Sequence, residues 1–304
     1  MTVHAIINPR SRGGRTGASI GQLDSRLRSV FPGIAIHHTE RPRHASTLAR
    51  EATNGGVSQL IVVGGDGTWH EVTHGCLEAD RPAPLLSLVP RGTGGDMRRS
   101  LGVPHDLDAA LARAQERRER TVDAGRLTWR AANGSTGREY FANIASIGMS
   151  ADVAARTHTG SVTKARLGPL AFLLEGLAAA LRAQRHPVRI SFDDAPAITT
   201  TVGLCAVSNG RTFGGGMTIA PLADLTDGLL DVVWLEALPR LGVLSVLPSV
   251  YPGWHWYLPW VKHRRAARVT IELMAPCDVE TDGELPGASG VLTFEVLPRA
   301  VRVT

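Results

Sequence analysis

The 304-residue sequence lacks the features that mark membrane-spanning, secreted and disulfide-rich proteins. It has only three cysteines, Cys76, Cys205 and Cys277. They form no CxxC pair and no Cys/His cluster at metal-ligand spacing, so we expect unreactive thiols. No stretch approaches the ~18 uninterrupted apolar residues of a transmembrane helix. The N-terminus has no basic segment followed by an apolar one, so no secretory signal is predicted. We therefore expect a cytoplasmic protein.

Lysine is also scarce, because Lys164 and Lys262 are the only two and arginine supplies nearly all of the positive charge. The formal net charge of +5 suits nucleotide phosphates, a membrane surface or nucleic acid. No zinc-finger spacing, heptad or aromatic-basic RNA motif is present, so we expect no nucleic-acid partner. The Walker A pattern is missing, and no GxGxxG follows the first predicted strand, which argues against P-loop enzymes and dinucleotide dehydrogenases.

Short apolar runs alternate with helical patterns over residues 1–120. The runs predict strands buried on both faces, at 5–7, 34–36, 60–63 and 85–89. Helices are predicted near 17–30, 43–54, 68–79, 94–100 and 106–118. This alternation is typical of an α/β domain with a parallel sheet. Ligands bind beyond the C-terminal ends of such strands, which is where this sequence places its glycine-rich stretches.

The pattern changes after residue 120, where short strands are separated by Asn, Asp, Gly and Pro. Strands are predicted at 122–129, 140–144, 188–192, 199–207, 228–235, 267–273 and 291–296. Leucines at helical spacing predict one helix over 169–181. We therefore predict a second, antiparallel β domain over residues 121–304.

The strongest local motif is the run Leu60-Ile-Val-Val-Gly-Gly-Asp-Gly-Thr-Trp-His-Glu71. A buried strand runs into glycines and then into a predicted helix, whose N-terminus offers unpaired N–H groups to phosphate. Asp66 in the turn repels phosphate unless a metal ion or a proton lies between them. The motif therefore suits a magnesium nucleotide.

The segment Val63-Gly-Gly-Asp-Gly-Thr68 resembles the signature shared by diacylglycerol kinases, sphingosine kinases, NAD kinases and phosphofructokinases. Further segments resemble the diacylglycerol and sphingosine lipid kinases in particular. They begin at Asn8, Pro90, Phe141, Val207, Leu225 and Thr281. The resemblance runs in order over nearly the whole chain.

This resemblance implies an ATP-dependent lipid kinase that phosphorylates a lipid hydroxyl, most simply diacylglycerol to phosphatidate. It implies an NAD kinase/phosphofructokinase-like α/β domain over residues 1–120 and a lipid-substrate β-sandwich over 121–304, with the active site in the cleft between them. The residues implied for ATP binding are Asn8, Pro9, Arg10, Ser11, Arg12, Thr39, Gly65, Asp66, Gly67, Thr68, Glu71 and Thr93. Asp224, Asp227 and the backbone of Leu229 are implied to hold a structural Mg²⁺ ion, for which oxygen ligands are suited.

Two carboxylates compete for the role of general base that removes the lipid hydroxyl proton. Asp66 follows the nucleotide-binding strand and acts either through a metal ion or as the base. Glu284 lies in an Asp-Gly-Glu turn of the second domain, as a base on the acceptor side should. We favour Glu284.

Three positions depart from the family pattern. Gly95 stands where the family usually has Asn, and Arg12 replaces a Gly. Thr226 replaces the first Asp of Asp-Asp-Gly, which removes a carboxylate from the implied magnesium site. The departures at Gly95 and Thr226 leave open a kinase-fold protein that binds nucleotide or lipid without turnover. A second alternative is an NAD kinase-like enzyme with a soluble acceptor.

The expected partner is a lipid substrate at a membrane surface. The aromatic segment 251–260, followed by Lys262 and several arginines, has two interpretations. Aromatics beside cations suit transient docking on an anionic membrane, whereas internal packing of a connection is the simpler explanation. A homodimer is left open.

Overall fold

The computed structural model describes residues 2–158, 184–236, 238 and 240–304. The strands are β1 Val3–Ile7, β2 Ala35–His38, β3 Gln59–Gly64, β4 Leu85–Pro90, β5 Arg120–Arg130, β6 Thr136–Phe141, β7 Ile144–Gly148, β8 His186–Phe192, β9 Ile198–Ser208, β10 Thr212–Phe213, β11 Met217–Thr218, β12 Leu230–Glu236, β13 Val261–Ala266, β14 Arg268–Leu273, β15 Val279–Thr281 and β16 Val291–Val303. The helices are α1 Arg15–Ala18, α2 Ile20–Val30, α3 His44–Asn54, α4 Asp66–Leu77, α5 Asp96–Leu101, α6 Leu107–Glu116, α7 Met149–His158 and α8 Arg240–Val250, with 3₁₀ turns at Ser11–Gly14 and Trp254–Tyr257. The helix predicted over 169–181 lies outside the described residues.

The chain folds into two compact units. Unit 1 comprises Met1–Asp123 and Pro298–Thr304, and unit 2 comprises Ala124–Leu297. The predicted boundary at residue 120 differs from this division at the C-terminus, because the last seven residues belong to unit 1. Arg302 and Val303 pair in parallel with Leu85 and Leu86 of β4, so β16 is also longer than the strand predicted at 291–296.

Unit 1 contains the predicted parallel sheet, in the order β4-β3-β1-β2. All residues of β3 and β4 are buried, as the continuous apolar runs predict. The prediction that every strand is buried on both faces is wrong for β2, whose four residues are only half-buried. Among the described residues β2 is the edge strand, with β1 as its partner.

Helices α3 and α4 pack closely against each other in unit 1. The buried side chains of α3 are small: Ala45, Ala49, Ala52 and Thr53. On α4, a Cβ added at Gly75 would collide with the carbonyl group of Ser46. Small residues on both surfaces therefore allow this close approach.

Unit 2 is built of antiparallel strands around β9. The first half of β9 pairs with β8 and the second half with β7, while β12 runs along residues 202–208. One buried cluster includes Ile190, Phe192, Ile271 and Phe294. A second cluster lies on the opposite face of β9 and β12, where alternate residues point the other way. This is the predicted antiparallel β-sandwich.

The single strand predicted at 140–144 is wrong. The structure has two strands, β6 and β7, separated at Ala142 and Asn143. The backbone N–H groups of Ala142, Asn143 and Ile144 all donate to the carboxylate of Asp282, at 2.7–3.0 Å. These N–H groups are therefore directed to one side chain instead of a neighbouring strand.

Sequence patterns missed several elements of unit 2, namely β10, β11, β13, β15, α7 and α8. Strand β13 shows why, because its four central residues are all exposed and only Val261 and Ala266 are buried. It has no alternation of apolar and polar residues for a period-2 search to detect. Pairing with β12 along six residues makes it a strand.

The three cysteines are free thiols, as expected. Burial raises the pKa of Cys76 and Cys205 to about 12 and that of Cys277 to about 11. Thiolates are the reactive form, so all three are inert near neutral pH. Within the described part of the chain, no helix is both long enough and apolar enough to cross a membrane.

We predict that Gly75→Ala lowers the free energy of unfolding by about 1–3 kcal/mol, because the added methyl group would push α4 away from α3. Urea denaturation of the purified variant measures this change. Gly21→Ala is the matched control, since Gly21 lies in α2 with open space around its Cβ position. The control should be neutral or up to about 1 kcal/mol more stable. Equal effects at both positions would contradict the packing argument.

Candidate functional site

The residues implied for ATP binding lie together at one edge of the unit 1 sheet. Asn8, Pro9, Arg10, Ser11 and Arg12 follow β1, Thr39 follows β2, Gly65, Asp66, Gly67, Thr68 and Glu71 lie in or after the turn from β3 to α4, and Thr93 follows β4. Because the four strands are parallel neighbours, their C-terminal ends meet at the same edge. The sheet thus assembles residues that are 85 positions apart in the sequence.

Two glycines bring the loops after β3 and β4 into direct contact. A Cβ at Gly65 would lie 2.9 Å from the Cα atom of Gly92, and one at Gly92 would lie 2.5 Å from the Cα atom of Gly65. The N–H of Arg91 donates to the carbonyl of Gly64 at 2.7 Å. Only glycine permits this backbone approach.

Asn8 links the β1 loop to the β3–α4 turn. Its Nδ2 donates to the hydroxyl oxygen of Thr68 at 3.0 Å, and its Oδ1 accepts the N–H of Arg10 at 2.9 Å. Its own N–H donates to the carbonyl of Val63. Asn8 and Thr68 therefore hold two strand ends together, which gives both residues a structural role.

Asp66 organises the loop after β4. Its Oδ2 accepts the N–H groups of Gly95 at 2.8 Å and Asp96 at 3.2 Å, and its Oδ1 accepts that of Met97 at 2.9 Å. These are the first amides of α5, which would otherwise lack acceptors. Both carboxylate oxygens of Asp66 are thus engaged in holding the loop.

The environment of Asp66 raises the pKa of its carboxyl group. Burial is the largest cause, and the nearby charge of Asp96 adds to it, while the three backbone N–H donors act in the opposite direction. Asp96 is itself buried and pairs with Arg99 at 2.6 Å. A carboxylate that binds α5 is therefore held in a site that disfavours its charge.

Two departures from the family pattern lie at left-handed backbone positions. Gly95 has φ +70°, a left-handed conformation that glycine adopts freely and Asn tolerates better than most residues. Glycine therefore replaces Asn here without strain. Arg12 also lies in the left-handed region, with φ +55°. The glycine that is usual at this position would avoid a cost of about 1–2 kcal/mol.

Of the remaining predicted ATP contacts, Glu71 is also engaged within unit 1. Its Oε2 accepts the N–H of Ala45 in the first turn of α3, at 3.0 Å. The backbone N–H of Thr39 donates to the carbonyl of Ile7 at 2.9 Å. Arg10, Gly67 and Thr93 are exposed at the same edge.

In unit 2, Glu284 ends a tight hairpin turn. Thr281 and Glu284 exchange two backbone hydrogen bonds of 2.9 Å each. The two residues between them, Asp282 and Gly283, have φ +51° and +90°. Positive φ at both central positions is the type I′ geometry that Asp-Gly favours. The turn gives the half-buried Glu284 a defined position.

Asp282 attaches this turn to the rest of unit 2, and sequence reasoning missed it. Its carboxylate accepts the three amides of 142–144, and its own N–H donates to the carbonyl of Ile144 at 2.8 Å. Nearby, Asn209 donates from Nδ2 to the carbonyl of Ala142 at 2.7 Å. The segments at 141–149, 207–221 and 281–284, all quoted for the family resemblance, thus meet at one place. In the sequence, the only sign of a role for Asp282 was its position within one of these quoted segments.

Glu280 is a second carboxylate that sequence reasoning missed. It is 4% exposed, its Oε1 accepts a short hydrogen bond from Ser146, and its Oε2 accepts the N–H of Gly283 at 2.7 Å. Buried charge of this kind is costly unless it is hydrogen-bonded. Glu280 and Asp282 therefore support the Glu284 turn from two sides.

The residues implied for a structural magnesium ion do not form a metal site that fits. Asp224 Oδ1 accepts both the N–H and the hydroxyl of Thr226, at 3.0 and 2.7 Å. Asp227 accepts the N–H of Leu229 at 3.0 Å and forms a short ion pair with Arg265. No group of three or more His, Cys, Asp or Glu side chains with metal-binding geometry occurs in the ranges that the structure covers. The Asp227 carboxylate therefore already has a cationic partner, the guanidinium of Arg265.

Family models match both parts of the chain. Residues 2–127 match the diacylglycerol kinase catalytic domain, and residues 143–304 match the YegS C-terminal NAD kinase beta sandwich-like domain. A probable lipid kinase YegS-like protein of Pseudomonas aeruginosa is 32% identical over 270 residues, covering 89% of this chain and 84% of the relative. The chain belongs to the diacylglycerol kinase-like lipid kinase family. It is a kinase that transfers phosphate from ATP to a hydroxyl group.

Two further matches agree with this assignment. A diacylglycerol kinase of Staphylococcus aureus is 29% identical to this lipid kinase, covering 93% of the chain and 85% of the relative. The crystal structure of a putative diacylglycerol kinase from Bacillus anthracis has a TM-score of 0.79 at 26% identity, over 99% of this chain and 94% of that one.

The fold is shared more widely. An NAD kinase from Archaeoglobus fulgidus in complex with ATP has a TM-score of 0.54 at 12% identity, over 99% of this chain and 93% of that one. At this identity the likeness concerns the fold alone. The NAD kinase-like alternative therefore gains no support about the acceptor, and the family favours the lipid kinase prediction.

We predict that Asp66→Asn lowers the free energy of unfolding by about 1–3 kcal/mol near neutral pH, because one amide oxygen cannot replace a carboxylate that accepts three N–H groups. The difference from wild type should depend on pH. Since the pKa is raised in the folded protein, the folded state keeps the proton to a higher pH than the unfolded chain does. The stability contributed by Asp66 should therefore fall as the pH rises from 3.8 through the raised pKa.

Denaturant titrations of wild type and Asp66→Asn across this pH range measure the effect. Asp80→Asn is the control, since Asp80 is exposed in the same unit. The control should remain close to wild type throughout. A wild-type advantage over Asp66→Asn that grows with pH would have the wrong sign and would contradict a raised pKa.

Proposed function

We propose that this lipid kinase phosphorylates diacylglycerol to phosphatidate, with ATP bound at the strand ends of unit 1. One observation carries the ATP assignment: four parallel strands bring their loops to one edge, where the β3–α4 turn leads into the N-terminus of a 12-residue helix. Such a helix start favours phosphate through its free N–H groups. The names of the relatives from Staphylococcus aureus and Bacillus anthracis support diacylglycerol as the acceptor.

The proposed general base is Glu284. Asp66 is a poorer candidate because its two oxygens already accept three backbone N–H groups, and it acts as a positioning residue for the loop after β4. Glu284 is held in a tight turn that Asp282 and Glu280 brace. A base must be held in a defined place to accept the hydroxyl proton. The proton passes to the Glu284 carboxylate as the lipid oxygen attacks the γ-phosphate of ATP and ADP leaves.

The lipid acceptor lies in a membrane, and we propose that an aromatic patch of unit 2 docks there. Within the segment 251–260, Trp256, Leu258 and Trp260 pack against the core, which agrees with the packing interpretation for these three residues. Trp254 and Tyr257 are 68% and 84% exposed. We call these two residues, together with Leu222, which is 61% exposed, the aromatic patch.

Contacts within unit 2 join the aromatic patch into one surface. Gly253 lies against Pro221, since a Cβ there would be 3.1 Å from its Cγ atom, which places Leu222 and Trp254 beside the same contact. The ring of Trp256 stacks on His263 with centroids 3.8 Å apart. The segment also carries a cation at its end, because Lys262 Nζ donates to the carbonyl oxygen of Pro259 at 2.7 Å.

The chemistry of this surface matches an anionic lipid bilayer. Tryptophan and tyrosine partition into the interfacial region of membranes. Cations near the surface add about 1 kcal/mol each when the lipids are anionic. The proposed partner is therefore an anionic lipid surface, contacted transiently.

We predict that Glu284→Gln lowers kcat by about 10²–10⁴-fold with little change in the KM for ATP, because only the proton acceptor is removed. The assay is radiolabel transfer from γ-labelled ATP, with magnesium, to diacylglycerol, monoacylglycerol, ceramide, sphingosine, phosphatidylglycerol and NAD. Wild type should label diacylglycerol.

The control for this assay is Glu272→Gln, an exposed glutamate of β14. It should retain wild-type kcat. Label in NAD but in no lipid would overturn the lipid acceptor. Full activity of Glu284→Gln would remove Glu284 from the role of base, and label in another lipid would correct the substrate.

We predict that Trp254→Ala/Tyr257→Ala weakens binding to anionic vesicles by at least tenfold, because each aromatic ring contributes about 1.5–3 kcal/mol when buried. Co-sedimentation with phosphatidylcholine vesicles, with and without phosphatidylglycerol, measures it. Wild type should bind the anionic vesicles more strongly.

Met274→Ala is the matched control, since Met274 is 60% exposed but lies outside the aromatic patch. Its binding should equal that of wild type. Equal loss in both variants, or no dependence on phosphatidylglycerol, would contradict docking through this patch.

A further inference from the structure

Arg265 in unit 2 lies between two carboxylates of the region where the family resemblance implies magnesium. Its guanidinium Nη2 forms a short contact with Oδ2 of Asp227, and its Nε lies 3.5 Å from Oδ2 of Asp231. Asp231 and Arg265 are paired directly across β12 and β13. The sheet register therefore places this cation beside the turn before β12.

The burial of Asp231 favours a cation beside it. Its side chain is 2% exposed, and neither of its carboxylate oxygens has a hydrogen-bond partner. Such a charge is strongly unfavourable unless an opposite charge lies nearby. Arg265 is the arginine that pairs with Asp231, so Arg265 offsets the two negative charges of Asp227 and Asp231 with one positive charge.

The turn before β12 also differs from the family pattern. Thr226 occupies the position where the family has an aspartate. Its hydroxyl and N–H both donate to Asp224 Oδ1, so this turn is closed by its own hydrogen bonds. A further carboxylate in this turn would add to the negative charge of Asp227 and Asp231, which one guanidinium offsets only in part. The neutral Thr226 is therefore compatible with an arginine, instead of a divalent metal ion, beside this turn.

We infer that the Arg265 guanidinium is a built-in cation that takes the place of the structural magnesium ion of the family. Arg265 suits this task because its planar group presents donors to two carboxylates at once. The turn from Asp224 to Leu229 is thereby held without any metal ion. This inference is independent of the proposed substrate and of the role of Glu284.

The test compares thermal unfolding of the nucleotide-free protein in EDTA and in increasing Mg²⁺. Wild type should show the same Tm throughout. Thr226→Asp/Arg265→Met restores the family carboxylate and removes the guanidinium. It should unfold several degrees lower in EDTA and regain most of that loss as Mg²⁺ saturates the site. Electron paramagnetic resonance with Mn²⁺ should detect one bound ion in this variant and none in wild type.

Two further variants keep the inference falsifiable. Arg264→Ala is the control, because Arg264 is the neighbouring cation of β13 and lies over the ring of Phe192, 4.9 Å from its centroid. It should remain insensitive to Mg²⁺. Arg265→Lys keeps the charge but not the planar group, so it should be less stable than wild type and equally insensitive to Mg²⁺. If the double variant does not fold, the stability of Arg265→Lys still tests the inference.

Either of two results would overturn the inference. One is a saturable rise of the wild-type Tm with Mg²⁺ that Asp227→Asn abolishes. The other is an Arg265→Lys protein as stable as wild type, together with a double variant that binds no Mn²⁺.

Discussion

The organisation of both units depends on a carboxylate that accepts three backbone N–H groups where the chain leaves a strand. Asp66 does this for Gly95, Asp96 and Met97 in unit 1. Asp282 does it for residues 142–144 in unit 2. Buried backbone amides must find acceptors, and a carboxylate provides stronger bonds than a neutral group. Each aspartate thus holds a loop of a candidate site in one conformation.

The glycines of unit 1 follow from the same requirement for close loops. Contact between Gly65 and Gly92 brings the turn after β3 against the loop after β4, within reach of the Asp66 carboxylate. A side chain at either glycine would separate the two loops. The Gly-Gly-Asp-Gly motif therefore has a structural role, since it joins neighbouring strand ends, in addition to the phosphate-binding role that the sequence suggests. This explains why motif residues such as Asp66 and Thr68 are engaged within the protein.

Much of the fold could be predicted, because burial leaves a local pattern. The continuous apolar runs at β3 and β4 and the Asp-Gly turn before Glu284 were readable directly. Strand β13 was not, since its central residues are exposed and only its partner β12 makes it a strand. The single strand predicted at 140–144 failed for a similar reason. A carboxylate about 140 residues away takes its N–H groups, and no local pattern records that.

The sequence by itself determined the family, the α/β and antiparallel β classes and the segments that carry the candidate sites. These properties depend on residue type and spacing along the chain. Only the tertiary structure decided the roles of individual side chains. It showed that Asp66 binds amides, that Gly95 stands in a left-handed conformation and that Arg265 lies against Asp227. The physical reason is that a charged side chain takes its role from the groups folding places around it. Those groups lie about 30 residues from Asp66 and about 40 from Asp227.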